Sequence, residues 1–214
     1  MANSFWSNVT ISVESARATG VTITGISKAS TAIVTSTADP SISGGETVLI
    51  TANGMTQMDG RVVTAANPAG TYTWEASNVD STDYSTFTDG TLYVLTLGTT
   101  IARTTDITVS GGSPNYEEFA YIQDNVNRRT PTSYSPFTLE MECAWDPSDT
   151  ALTTLKTAAE TFEQKGIKVA FSGGQYILAY GYVGCTLIPT GTARGLVKTS
   201  LTFDCDGFIT AYAS

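Results

Sequence analysis

Glu140 and Glu142 stand two residues apart, Asp204 and Asp206 flank Cys205, and Glu117 directly precedes Glu118. Paired carboxylates are what a glycosidase uses, one protonating the leaving oxygen while the other attacks or activates water. The same pairs also occur routinely on the solvent faces of strands and turns, so the spacing alone does not make a catalytic pair. The chain has no histidine. That removes Ser-His-Asp and Cys-His sites and the commonest general base. Asp80, Asp83 and Asp89 lack the loop spacing of a calcium site. "SGGE", "SGGS" and "SGGQ" lack the Lys-Ser/Thr of a phosphate loop and read as turns. Cys143, Cys185 and Cys205 are an odd number without CxxC spacing and read as buried, reduced thiols. No catalytic residue, cofactor or metal is expected.

The 214 residues carry 20 acidic and 11 basic side chains, a formal net charge of −9. That balance opposes a nucleic-acid grip, which needs clustered cations. It fits a surface that repels a polyanion. Arg128-Arg129 is a local basic doublet, suited to a solvated loop or an interface ion pair. No stretch is apolar enough to span a membrane, and "MANSFWSNVT" lacks the basic start and apolar core of a signal peptide, so a cytosolic product is expected.

The elements that must position these residues are mostly strands. Residues 7–15, "SNVTISVES", alternate polar and apolar side chains. Between about residues 21 and 95, short β-rich runs such as "VTITGI", "ETVLIT" and "GRVVTAA" alternate with turn signals, predicting a small antiparallel barrel or sandwich. Residues 116–136 contain Pro131 and Pro136 and read as a long connection, followed by the strand "FTLEMECAW". One helix is predicted in "WDPSDTALTTLKTAAETFEQKG", with Asp146 as N-cap, Pro147 in the first turn and Gly166 as the stop. Ala151, Leu152, Leu155, Ala158, Ala159 and Phe162 share one face of it. Such a narrow stripe suits a helix lying on a sheet. A hairpin turning at Gly173-Gly174 and a terminal strand pair turning near Asp206-Gly207 complete the pattern. The fold class expected is mainly β, a sandwich or barrel with one flanking α-helix, plus an inserted small β-barrel.

Four segments, "FWSNVTISVESA", "FAYIQDNVNRRTP", "AWDPSDTALTTLKTAAE" and "GYVGCTLIPTGTARGLVKTSLTF", run in an order that resembles the major tail tube proteins of long, non-contractile-tailed bacteriophages. The block from about residue 22 to 95 is similar to a small β-barrel module of phage structural proteins, reminiscent of a domain of ubiquitin-activating enzymes. The resemblance implies a tube domain of residues 1–20 and 96–214, a decoration domain of residues 21–95, and hexameric rings stacked into a conduit for viral DNA. It implies a virion protein assembled in the host cytoplasm, partnered by itself and by tape measure, tail tip and terminator proteins, with DNA passing unbound and no membrane involved.

On this reading the candidate contacts between subunits or rings are Phe5, Trp6, Tyr116, Phe119, Tyr121, Asp124, Asn125, Arg128, Arg129 and Tyr134. The candidate acidic lining of the lumen is Glu140, Glu142, Asp204 and Asp206. Two alternatives remain open at this point. A terminator or tip protein would close a ring without making tubes, and a ligand-binding decoration would use Trp74, Tyr72, Tyr84 and Phe87 of the insert.

Overall fold

The computed structural model describes residues 8–68, 72–123, 125–186 and 188–213. The chain begins with β1 (Thr10–Val13) and a short β2 (Ala16–Arg17). It then enters β3 (Val21–Ile26), β4 (Ala32–Ser36), β5 (Thr47–Asn53), β6 (Arg61–Ala66), β7 (Thr73–Ala76) and β8 (Asp89–Thr96). These six pair in the order β8-β3-β4-β7-β6-β5, and β5 pairs back onto β8, so the sheet closes into a barrel. Closure leaves no unpaired edge among the six strands. Ile23, Val34, Val48, Ile50, Val63, Trp74 and Leu92 fill its interior, all buried. The runs expected between residues 21 and 95 thus form the strands expected of them.

After the barrel come β9 (Thr99–Ile101), β10 (Thr104–Ser110), β11 (Pro114–Phe119), β12 (Arg128–Tyr134) and β13 (Thr138–Ala144). The helix α1 (Thr150–Glu160) follows, then β14 (Gln164–Ala170), β15 (Tyr176–Cys185), β16 (Lys198–Cys205) and β17 (Thr210–Tyr212). The second sheet runs β10-β13-β16-β15-β14-β1-β9, with β17 also on β15. Its end strands, β9 and β10, are separated in the chain by residues 102–103 alone. At about 3.6 Å per residue, Ile101 and Thr104 lie no more than roughly 11 Å apart. The sheet must therefore roll, bringing the end of β9 near the start of β10. Ile11, Val13 and Ile101 from one side share a single core with Met141, Leu201 and Phe203 from the other.

The helix closes this roll with Ala151, Leu152, Leu155 and Ala158, all buried. Its bounds differ from the sequence expectation. Asp149, not Asp146, is the N-cap, accepting from the Ala151 and Leu152 N–H groups at 2.8 and 3.4 Å. Asp146 instead closes a local turn on Ser148. The helix ends well before Gly166. Phe162 adopts φ 55°, the left-handed conformation usually left to glycine. The Glu163 N–H then reaches the Ala158 carbonyl and the Phe162 N–H the Ala159 carbonyl, which together make a Schellman stop. That turn swings Phe162 off the apolar stripe, leaving it 82% exposed. Gly166 lies within β14, where a Cβ would stand 2.8 Å from Leu95. Asp149→Ala is expected to cost about 1 kcal/mol, or about 2–4 °C in Tm, with Asp146→Ala costing less. Thermal unfolding of the two variants separates the two caps.

Two further corrections concern connectivity. Residues 116–136, read as a long connection, contain β12 and most of β11, which among the described residues form a hairpin pairing only with each other. The prolines misled because a two-stranded ribbon is all edge, where a missing N–H is tolerated. The hairpin expected at Gly173-Gly174 is present as β14-β15. The terminal pair is not a hairpin, however. Both β16 and β17 run antiparallel to β15, with Cys205 opposite Gly181 and Thr210 opposite Leu178. The five-residue advance against three marks a two-residue kink, not a reversal.

Candidate assembly surfaces

Among the described strands, the β11-β12 arm is the most exposed part of the fold. Every residue of its two strands except Pro114 is exposed. It continues the β10-β13 ladder across a bend where Gly111 has φ 87° and an added Cβ would strike the Pro136 carbonyl at 1.9 Å. Beyond the bend, Pro114 pairs with Tyr134, Tyr116 with Pro131, Glu118 with Arg129 and Phe119 with Arg128. Alternation puts Tyr116 and Tyr134 on one face and Phe119 on the other. Near the tip, Phe119 and Tyr121 pack edge to face at 5.6 Å, and Arg128 lies 5.8 Å over the Tyr121 ring. Glu118 and Arg129 form an exposed ion pair at 2.7 Å. Asn125 lies exposed in the tip bend. The arm thus gathers Tyr116, Phe119, Tyr121, Asn125, Arg128, Arg129 and Tyr134. Phe5, Trp6 and Asp124 lie outside the described residues.

The acidic candidates divide. Glu140 and Glu142 alternate with Met141 and Cys143, which enter the core, so both carboxylates face outward. In register, Glu142 lies between Asp106 and Ser200, Glu140 between Thr108 and Thr202, and Thr138 between Ser110 and Asp204. Three strands therefore present one polar face carrying Asp106, Glu140, Glu142 and Asp204. Asp106 was missed by sequence reading, although its period-two spacing from Thr108 and Ser110 carried the signal. Lys198 holds Glu142 at 2.7 Å, and Thr138 donates to Asp204 at 2.8 Å. Asp206 is elsewhere: it sits in the β16-β17 kink, accepts from Gln164 at 2.7 Å and adjoins the barrel's Asp59-Gly60 turn.

Barrel and roll share a third cluster, in which Leu49, Val62 and Leu95 meet Leu178, Tyr180 and Tyr212. Leu49, Val62 and Leu178 are fully buried there, each contributing about 1.5–3 kcal/mol relative to exposure. The Tyr212 hydroxyl accepts from Thr64 N–H at 2.7 Å and donates to the Ser77 carbonyl at 3.0 Å. Arg61 donates to Thr210 at 3.0 Å. At the crossing point, Arg17 grips buried Glu14 through Nε and Nη2 at 2.8 and 3.1 Å and donates to the Tyr180 hydroxyl at 3.2 Å. Glu14 also accepts from the Gly166 N–H at 2.7 Å.

Among the described residues the other candidate chemistries find no assembled site. Glu140, Glu142, Asp204 and Asp206 stand in solvent, whereas a glycosidase acid needs apolar enclosure. Asp80 closes a turn on Thr82, and Asp89 accepts from Asn53. Trp74 is core, the Tyr84 hydroxyl accepts from Arg61, and Phe87 packs against the barrel interior, leaving Tyr72 as the exposed member of the four. Cys143 and Cys205 are buried and Cys185 half-buried, all unpaired, and burial pushes the Cys205 thiol up to about 11.

An exposed aromatic arm and a polar acidic face are surfaces of the kind that a structural, assembling protein presents. The chain matches the phage tail tube protein family over residues 53–214 and belongs to it. It is a structural component of the virion tail that self-assembles into the tube alongside other tail proteins. The matched span begins at the last residue of β5, so it takes in β6 to β8 of the barrel and every strand of the roll except β1. No curated protein matches the chain.

Proposed function

We propose that six copies close into a ring, that rings stack into a hollow tube, and that the tube conducts viral DNA from capsid to host. The observation carrying this reading is the arm, whose strands are exposed on both faces. An isolated two-stranded ribbon is marginal in water. Aromatic residues on both of its faces suit burial against a neighbouring subunit or ring. Glu140, Glu142 and Asp204, with Asp106, line the lumen, where their charge keeps DNA from adsorbing. The barrel docks on Leu178, Tyr180 and Tyr212 of β15 and β17, and the tube reading gives it an exterior place. Residues 21–95 then form the exterior domain and residues 1–20 with 96–214 the tube domain. Tape measure, tail tip and terminator proteins set the length and ends during assembly in the host cytoplasm, and the high negative charge keeps free subunits apart until then.

Electron microscopy of the concentrated full chain tests this. Six-fold tubes with a negative lumen are the expected result. Single rings that never stack would assign a terminator instead, and a basic lumen would overturn the role given to the acidic face.

A further inference from the structure

Among the described residues, strand β10 is an edge of the rolled sheet, hydrogen-bonded to β13 on one side only. Alternate residues of such a strand turn their N–H groups away from the partner, and an edge of that kind invites another chain to pair. Two features interrupt this edge. The register slips between Thr104 and Asp106, so Thr105 is a bulge whose hydroxyl donates to the Glu142 carbonyl at 3.1 Å. Next to it, the N–H of Ile107 donates at 2.9 Å to the Asp106 side chain instead of to a strand. A groove of 390 Å³ runs beside this stretch, lined by Asn8, Val9 and residues 104–107. Among the described residues the strand is thus uncovered, yet one of its outward donors is already occupied by a carboxylate from the same chain.

We infer that Asp106 is an assembly guard, and that the β10 edge is where a second copy of this chain adds a strand during tube growth. In the free subunit its carboxylate occupies the Ile107 N–H and places a negative charge in the path of an incoming backbone carbonyl. A strand from the neighbour must displace it from the Ile107 N–H, which leaves the carboxylate wholly to the acidic face it shares with Glu140 and Glu142. Random pairing between free subunits is therefore slowed, while pairing at a growing end, where other contacts hold the newcomer in place, proceeds. The inference rests on the tube reading for its partner and on the β10 geometry for its mechanism.

Two measurements separate these foundations. Residue-resolved amide exchange on the monomer should find Ile107 protected in the wild type, unprotected in Asp106→Ala and still protected in Asp106→Asn, whose side-chain oxygen keeps the hydrogen bond. Fast exchange at Ile107 in the wild type overturns the guard whether or not tubes form. Light scattering then reads the concentration at which tubes appear. Asp106→Ala is expected to lower it about tenfold, the worth of one charge-assisted hydrogen bond no longer displaced, with Asp106→Asn closer to the wild type. Equal thresholds for wild type and Asp106→Ala, or for Asp106→Ala and Asp106→Asn, overturn the guard. Wild-type tubes absent at every concentration, with Ile107 protected as described, would overturn the tube partner alone.

Discussion

Arg17→Ala lowers the stability of the whole chain by about 3 kcal/mol and its Tm by roughly 10 °C. The reason is the partner left behind. Glu14 is 3% exposed while Arg17 is 30% exposed, so the substitution strands a carboxylate that has no access to water. Breaking a buried pair costs about 3–5 kcal/mol, and the open side of Arg17 places this one at the low end. The same substitution removes the donor to the Tyr180 hydroxyl and to the Gln164 carbonyl. It also removes the cation lying 5.6 Å from the Tyr93 ring of the barrel and 5.3 Å from the Tyr180 ring of the roll. Combining Arg17→Met with Glu14→Gln removes both charges and keeps an acceptor for the Gly166 N–H. Calorimetry should find at least half of the loss recovered in the double variant. A loss below about 1 kcal/mol for Arg17→Ala would mean that the pair behaves as a surface ion pair, and that the apolar cluster and the Tyr212 and Arg61 hydrogen bonds join the two sheets without it.

That junction changes how the barrel is regarded. Removing it would strip Leu178, Tyr180 and Tyr212 of cover and orphan the Tyr212 hydroxyl, so the barrel is not a passive appendage. The sequence carried a hint. "VLI" in β5, "RVV" in β6 and "YILAYGYV" in β15 do not alternate, as strands covered on both faces do not. Inward Val48 and Ile50 fill the barrel while Leu49 between them faces the roll.

Elsewhere, legibility followed periodicity. Each expected strand of the barrel is present because its turn residues and alternation are local signals. Glu140 and Glu142 could be placed on one face from spacing two, but not beside Asp204 or Asp106, since register across strands is a long-range property. The helix bounds failed where competing local choices had equal appeal: two aspartates offered a cap, and nothing in the residue type marks Phe162, where a glycine is usual, as the left-handed stop. The arm was unreadable as strand because neither face is buried in the subunit, so no apolar alternation was selected by its own core.

Excision of the arm, joining Gly112 to Pro136, leaves Tm within about 2 °C of the wild type while abolishing tubes. The two halves of this expectation have separate causes. None of the core clusters contains a residue of β11 or β12, so the fold loses a marginal ribbon and little else. Assembly loses Tyr116, Phe119, Tyr121 and Tyr134, the residue type that dominates interface energetics when fully buried. Phe119→Ala alone, at about 2 kcal/mol per contact, would raise the concentration needed for tubes about 30-fold. Growth must satisfy the contact at every subunit, so a loss tolerable in a single pair is felt at each addition. Arg129→Glu, which sets two carboxylates opposite each other across the ribbon beside Glu118, should weaken assembly less, because that pair is exposed in the free arm. Sedimentation of the three variants, with calorimetry on the same samples, reads both halves. Tubes formed by the excised chain would remove the arm from the assembly contact and leave the β10 edge to carry it.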